Sequence, residues 1–129
     1  MSAIVYVDTS DVRDGALEEL KAGMKKLVDF VEAEEPRILA YNVYFSDDGA
    51  RMTVVQVHPD SASLEYHMEV GGPLFRQMKE LVTLSSIHIY GEPSETLLKQ
   101  SYEKTRLLGG GEVVVEALHA GFTRFEVRG

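Results

Sequence analysis

The chain has 129 residues, is 44% hydrophobic and carries 13 Lys and Arg against 21 Asp and Glu, a net charge of −8. That length fits one domain around a single core, and the acidic balance opposes binding to phosphate backbones or anionic lipid, so neither a nucleic-acid nor a membrane partner is expected. The absence of cysteine excludes disulfides, thiolate metal sites and a thiol nucleophile.

The opening Met1-Ser2-Ala3-Ile4-Val5-Tyr6 has no basic segment before a long apolar run, and no stretch approaches the roughly 18 apolar residues of a membrane span, which predicts a soluble, cytoplasmic protein. Ala3 to Asp8 alternates and is β-branched, the pattern of a strand. From Leu17 to Glu34 the positions Leu17, Leu20, Met24, Leu27, Val28 and Val31 form a helical apolar stripe, which Pro36 ends. Ile38–Phe45 and Met52–His58 read as antiparallel strands joined by Ser46-Asp47-Asp48-Gly49. Pro59-Asp60-Ser61 carries helix-start chemistry, and residues 62–82 read as a helical region bent or split at Gly71-Gly72-Pro73. Leu84–Tyr90 is a fourth strand. The order β-α-β-β-α-β is that of a ferredoxin-like α+β fold with an antiparallel sheet and both helices on one side, over residues 1–93. Residues 94–129 add a helix over 94–108, a break at Gly109-Gly110-Gly111, and short strands at 113–118 and 122–127. This segment is too apolar for water and is expected to pack on the same domain or on a second subunit.

Side chains alternate across a strand, so each strand divides into two sets. Val5, Val7, Tyr41, Val43, Phe45, Val55, Val57, Ile87 and Ile89 would lie under the helices. Tyr6, Asn42, Tyr44, Gln56, His58, Ser86, His88 and Tyr90 would share the opposite face, which is aromatic and imidazole-rich where a wet face carries Lys, Glu and Thr. Such a face either packs against another subunit or the C-terminal tail, or helps close a barrel around a small-molecule cavity.

One run carries a family resemblance: Val54-Val55-Gln56-Val57-His58-Pro59-Asp60, then Ala62-Ser63-Leu64-Glu65-Tyr66-His67, then Pro73-Leu74-Phe75. It resembles the antibiotic biosynthesis monooxygenase superfamily of dimeric α/β-barrel proteins. Asp60, Leu64, His67 and Phe75 fit the family pattern, while Gln56 stands where Glu is common and His58 where an aromatic is common. The resemblance implies a homodimer and a cofactor-independent monooxygenase acting on a small aromatic or quinol-like compound in the barrel cavity. A non-catalytic binding or interaction module on the same fold, or a haem-handling protein, are the alternatives it leaves open.

Among the chemical groups, His58 and His88 lie on the expected polar face, and either could serve as base, with Asn42, Tyr44 and Gln56 as hydrogen-bonding partners and Tyr6, Ser86 and Tyr90 completing a binding surface. His67 shares a helix face with Leu64 and Met68 and reads either as a third base or as a structural imidazole. No metal-ligand spacing stands out, so neither a metal nor a cofactor is expected. Gly109-Gly110-Gly111 lacks the Lys and Ser or Thr of a phosphate loop and reads as a hinge. Glu32, Glu34 and Glu35 read as a solvated helix end.

Overall fold

In the computed structural model, which describes residues 3–124, the chain runs β1 (Ile4–Val12), α1 (Leu17–Glu34), β2 (Ala40–Phe45), β3 (Arg51–His58), α2 (Ser61–Val70), α3 (Gly72–Arg76), β4 (Val82–Tyr90), α4 (Glu95–Leu107) and β5 (Glu112–Glu116). The sheet order is β2-β3-β1-β4-β5. Each of its first four strands is antiparallel to its neighbours among them, and together they form the ferredoxin-like α+β core, whereas β5 joins β4 in parallel, as a strand returning through a helical crossover can. No helix among the described residues is long and apolar enough to cross a membrane.

Local chemistry sets the boundaries. The Asp60 carboxylate accepts from the Ser63 backbone N–H at 2.9 Å and starts α2; the Ser94 hydroxyl accepts from Leu97 N–H at 3.0 Å and starts α4. Each satisfies a donor that the first helical turn leaves free. Gly49 closes the β2–β3 hairpin at φ +71°, and a Cβ there would come within 2.6 Å of the Leu17 side chain. The triple glycine joins α4 to β5 with all three residues at positive φ; at Gly111 a Cβ would lie 2.9 Å from the Leu84 carbonyl oxygen, so only glycine fits that approach.

Leu20, Met24, Leu27 and Val31 of α1, Leu64 of α2 and Leu97 of α4 bury themselves with Ile4, Tyr6, Met52, Val54, Ile87 and Ile89 of the sheet in one core. A register shift between β1 and β4 at Thr9/Ser10 re-phases β4, so that Leu84 and Ile87, three residues apart, are both buried. Leu97, Ser101, Thr105 and Leu108 are buried as well, so α4 packs into this core through Leu97 and Leu108. Of the two C-terminal strands expected, the first is β5; residues 122–124 are not in a strand, and residues 125–129 lie outside the described residues.

The expected shared polar face is not formed. Tyr41 pairs with Gln56, Gln56 with Tyr6 and Tyr6 with Ile89, and directly opposed residues point the same way. Tyr6, Gln56 and His58 are therefore inside, beneath the helices. Asn42, Tyr44, Ser86, His88 and Tyr90 occupy the outer face with Val5, Val7, Val55 and Val57, the valines that were expected inside. The inside-out assignment of β1 and β3 has a physical cause. The interior holds buried polar groups, and the outer face is itself apolar, so sorting by polarity inverted both strands.

Leu97 is fully buried. Leu97→Ala is expected to cost about 2–5 kcal/mol within a single cooperative denaturant transition; loss of α4 in a separate earlier transition would contradict a shared core.

Candidate functional site

β1 places Tyr6, Asp8 and Ser10 in line on the helix-covered face, all buried. Helix α4 reaches them because Leu97, Ser101, Lys104 and Leu108 recur at four, three and four residues, one inward stripe. Lys104 Nζ lies 2.8 Å from Asp8 Oδ2, with side-chain exposures of 11% and 1%. The ammonium also stands 4.6 Å from the Phe75 ring centroid and 5.1 Å from that of Tyr6, within cation–π range. Burial alone would lower the Lys104 pKa, but the nearby Asp8 charge and Tyr6 oxygen outweigh it and raise the pKa, so the group stays an ammonium. The Tyr6 phenol is pushed up to about 12, chiefly by burial, with Lys104 opposing and Asp8 reinforcing the shift. Asp8 Oδ1 and Ser10 Oγ are buried without a protein partner.

A second pair lies beside the first. Glu35 sits just past the end of α1, one helical step beyond Val31, and its carboxylate is buried. His67 Nδ1 lies 2.9 and 3.0 Å from its two oxygens. The Nδ1–H therefore donates to the carboxylate, and Nε2 is the nitrogen left for a ligand. Gly71 makes room for this ring, since a Cβ there would lie 2.9 Å from His67 Cε1. The Tyr41 ring packs 5.3 Å from that of His67. Its pKa is raised well above the usual phenol value by burial, then by the Asp8, Glu35 and Tyr6 charges.

His58 is held differently. Nδ1 lies 2.7 Å from Ser63 Oγ and Nε2 2.9 Å from Gln56 Oε1; the amide oxygen can only accept, so Nε2 carries the proton and the serine hydroxyl donates to Nδ1. Burial, then repulsion from His67 and Arg37 against the pull of Asp60, lowers its pKa to about 3. With both nitrogens engaged and the ring neutral, His58 braces the interior, 6.1 Å from the His67 ring.

Two cavities flank the Glu35–His67 pair. One of about 210 Å³ lies between α2, α3 and α4, lined by Tyr41, His67, Met68, Phe75, Gln100 and Lys104 among others. The other, about 370 Å³, is lined by Glu35, Arg37, Ile38, Ser63 and Tyr66, with Arg37 clamped to both Asp60 oxygens at 2.6 and 3.1 Å. The imidazole thus borders one cavity and its carboxylate the other. The first sets the Tyr41 and Phe75 rings beside the Lys104 and Arg76 cations, the Glu103 carboxylate and a carboxylate-held imidazole, the ingredients for binding a compact, partly apolar molecule and moving a proton from it.

Of the site residues expected from sequence, Tyr6, Gln56, His58 and His67 come together in this interior. Asn42, Tyr44, Ser86, His88 and Tyr90 do not; on the outer face the His88 and Tyr90 rings stack 6.1 Å apart. Asp8, Glu35, Ser63 and Lys104 were not among the expected site residues, and Glu35 is a correction, because it is buried and paired rather than solvated. The available signal was phase: Glu35 and Lys104 each continue a buried helical stripe.

No family model matches the sequence and no curated protein is similar to it. Solved structures are. MupZ from Pseudomonas fluorescens matches over 100% of both chains with a TM-score of 0.77 at 19% identity. SnoaB, a cofactor-independent oxygenase from Streptomyces nogalater, matches 73% of this chain and 96% of its own at TM-score 0.61 and 15% identity. A Bacteroides thetaiotaomicron protein provisionally named an antibiotic biosynthesis monooxygenase matches 64% of this chain and 85% of its own at 0.54 and 20%. The chain shares the fold of these structures.

His58, with a folded pKa of about 3 against 6.5 when unfolded, gains protons on unfolding between those values. Its contribution to stability is complete above pH 6.5 and is lost as pH falls toward 3. Its imidazole resonances should show no titration between pH 8 and 5; a midpoint near 6.5 in the folded protein would overturn this assignment.

Proposed function

We propose that the chain binds a compact, quinol-like aromatic compound in the sheet–helix cavity and oxidises it as a cofactor-independent monooxygenase, with His67 as the base. The observation that carries this reading is the buried Glu35–His67 pair, whose imidazole borders an aromatic-walled cavity. A carboxylate on Nδ1–H fixes the tautomer, makes Nε2 the proton acceptor and stabilises the imidazolium that forms. Once ionised, an electron-rich ring can reduce dioxygen itself: one oxygen atom is kept in the product as a carbonyl and the other leaves as water with the two hydrogens of the substrate. The likeness in fold to SnoaB supports this choice of chemistry.

In this reading Tyr6 and Gln56 shape the interior, and the base role considered for His58 passes to His67. His88, Asn42, Tyr44, Ser86 and Tyr90 leave the site and become contacts to a second copy. Val5, Val7, Val55 and Val57 surround them on a helix-free face, where Tyr44 and Tyr90 stay 54% and 40% exposed in the single chain; apolar surface of that kind favours a homodimer.

An oxygen electrode with a panel of hydroquinones, anthrones and polyphenols tests the chemistry. Turnover is expected to fall by about 10²–10⁴-fold in His67→Gln. Binding without oxygen uptake would leave a non-catalytic binding module instead, and undiminished turnover in His67→Gln would remove the base. For assembly, Val7→Glu or Val55→Glu should convert a sedimenting dimer to monomer; a wild-type chain that sediments as a monomer would end the dimer reading.

A further inference from the structure

We infer that Lys104 is a ligand-positioning residue whose ammonium holds the oxygen of an ionisable hydroxyl on the bound compound, so that the ligand is a phenol-like acid bound as its oxyanion. Four observations lead there. An ammonium has three donors; Asp8 Oδ2 takes one and the neighbouring Tyr6 oxygen can take a second, which leaves one for a ligand. The group borders the same cavity as His67 and stays charged. Stability does not call for it, since a buried ion pair replaced by apolar side chains of similar volume is often neutral or stabilising. Finally, α4 also brings Gln100 to this wall, with its Oε1 buried and unpartnered, an acceptor waiting for a second ligand group.

The apolar part of the lining, Tyr41, Met68, Phe75 and Leu107, suits a flat hydrophobic body; the polar part is His67 of α2, Arg76 of α3 and Gln100, Glu103 and Lys104 of α4, and of the cations Lys104 is the one held in place by a buried carboxylate. On binding, the O–H bond of the ligand breaks and its proton passes to His67 Nε2. The electron pair stays on oxygen, which accepts a hydrogen bond from Lys104 Nζ. Asp8 and the rings of Tyr6 and Phe75 hold the ammonium in place before the ligand arrives, so little ordering remains to be done on binding.

The inference rests on the proposed base for the destination of the proton, and its test is read without turnover. 4-Nitrophenol absorbs near 400 nm only as the phenolate. Bound to the wild-type chain it is expected to ionise about 1–3 pH units below the free compound, the shift an adjacent opposite charge produces. Lys104→Met should return the bound value to that of the free compound, and Lys104→Arg, which keeps the charge, should restore part of the shift. If Lys104→Met does not fold because Asp8 is left uncompensated, Asp8→Asn/Lys104→Met keeps the interior neutral and is read the same way. In the unmodified chain, the Lys104 Nζ resonance should move with 4-nitrophenol and stay still with 4-nitroanisole, which has no ionisable hydroxyl.

An unshifted bound pKa in the wild type, no binding of the phenol, or a full shift in the Met variant would each overturn the inference. A shifted pKa that depends on Lys104, found together with no oxygen uptake from any quinol, would retain the anchor and reject the oxygenase. Oxygen uptake that survives Lys104→Met with unchanged KM would do the reverse.

Discussion

The Asp8–Lys104 ion pair is the constraint around which the interior is arranged. It joins the central strand to the last helix across 96 residues of chain, and neither member can be buried without the other. Removing one partner of such a pair costs about 3–5 kcal/mol, because the remaining charge is stranded in the core. The position of α4 is therefore set by charge compensation as well as by Leu97 and Leu108. Through α4, β5 is brought to the sheet edge. The cavity wall facing His67 exists because this helix is anchored where it is.

The rest of the interior follows the same logic of paired polar groups in a dry space. Gln56 and His58 on β3 are satisfied by each other and by Ser63 on α2; His67 on the same helix is satisfied by Glu35 at the end of α1. A buried polar group left alone is costly, whereas a fully paired network fixes side-chain geometry. The His58–Ser63 and His67–Glu35 pairs each join two elements, so the network also sets how α1 and α2 sit on the sheet. What remains unsatisfied among the described residues lies on β1 and α4, at Tyr6 Oη, Asp8 Oδ1, Ser10 Oγ and Gln100 Oε1. The interior is thus braced on the His58 side and open to new partners on the Lys104 side.

The element order was legible in the sequence because the signals were local: the α1 stripe, Asp60 and Ser94 as helix starts, Gly49 in the hairpin. The two faces of β2 and β4 were legible too, since Tyr41, Val43 and Phe45, like Ile87 and Ile89, outweigh their alternates. On β1 and β3 the contrast fails. Val5 and Val7 compete with Ile4 and Tyr6, and Val55 and Val57 with Met52 and Val54, because both faces of those central strands are apolar. Placing the more apolar set inward assumes that the other face is wet, and here it is not. The pairs Asp8–Lys104 and Glu35–His67 join positions 96 and 32 residues apart, and no local pattern couples them. Each partner on a helix did announce itself singly, as a polar residue in phase with a buried stripe. Such a residue is either a packing fault or one half of a buried pair, and a stable core tolerates few of the former.

This bears on how far a likeness in fold carries. The shorter neighbours match 64–73% of the chain, about the extent of the βαββαβ core, whereas MupZ matches all of it. The core supplies His67, Glu35 and the aromatic Tyr41 and Phe75. Lys104 and Gln100, the groups with spare hydrogen-bonding capacity, come from the helix added after it. In the proposed reading the labour is divided: His67 of the core would take the proton, and Lys104 and Gln100 of the added helix would choose what is presented to it. Chemistry grafted onto a common fold in this way varies with the graft, so the identity of the ligand should follow the α4 wall more closely than the sheet beneath it.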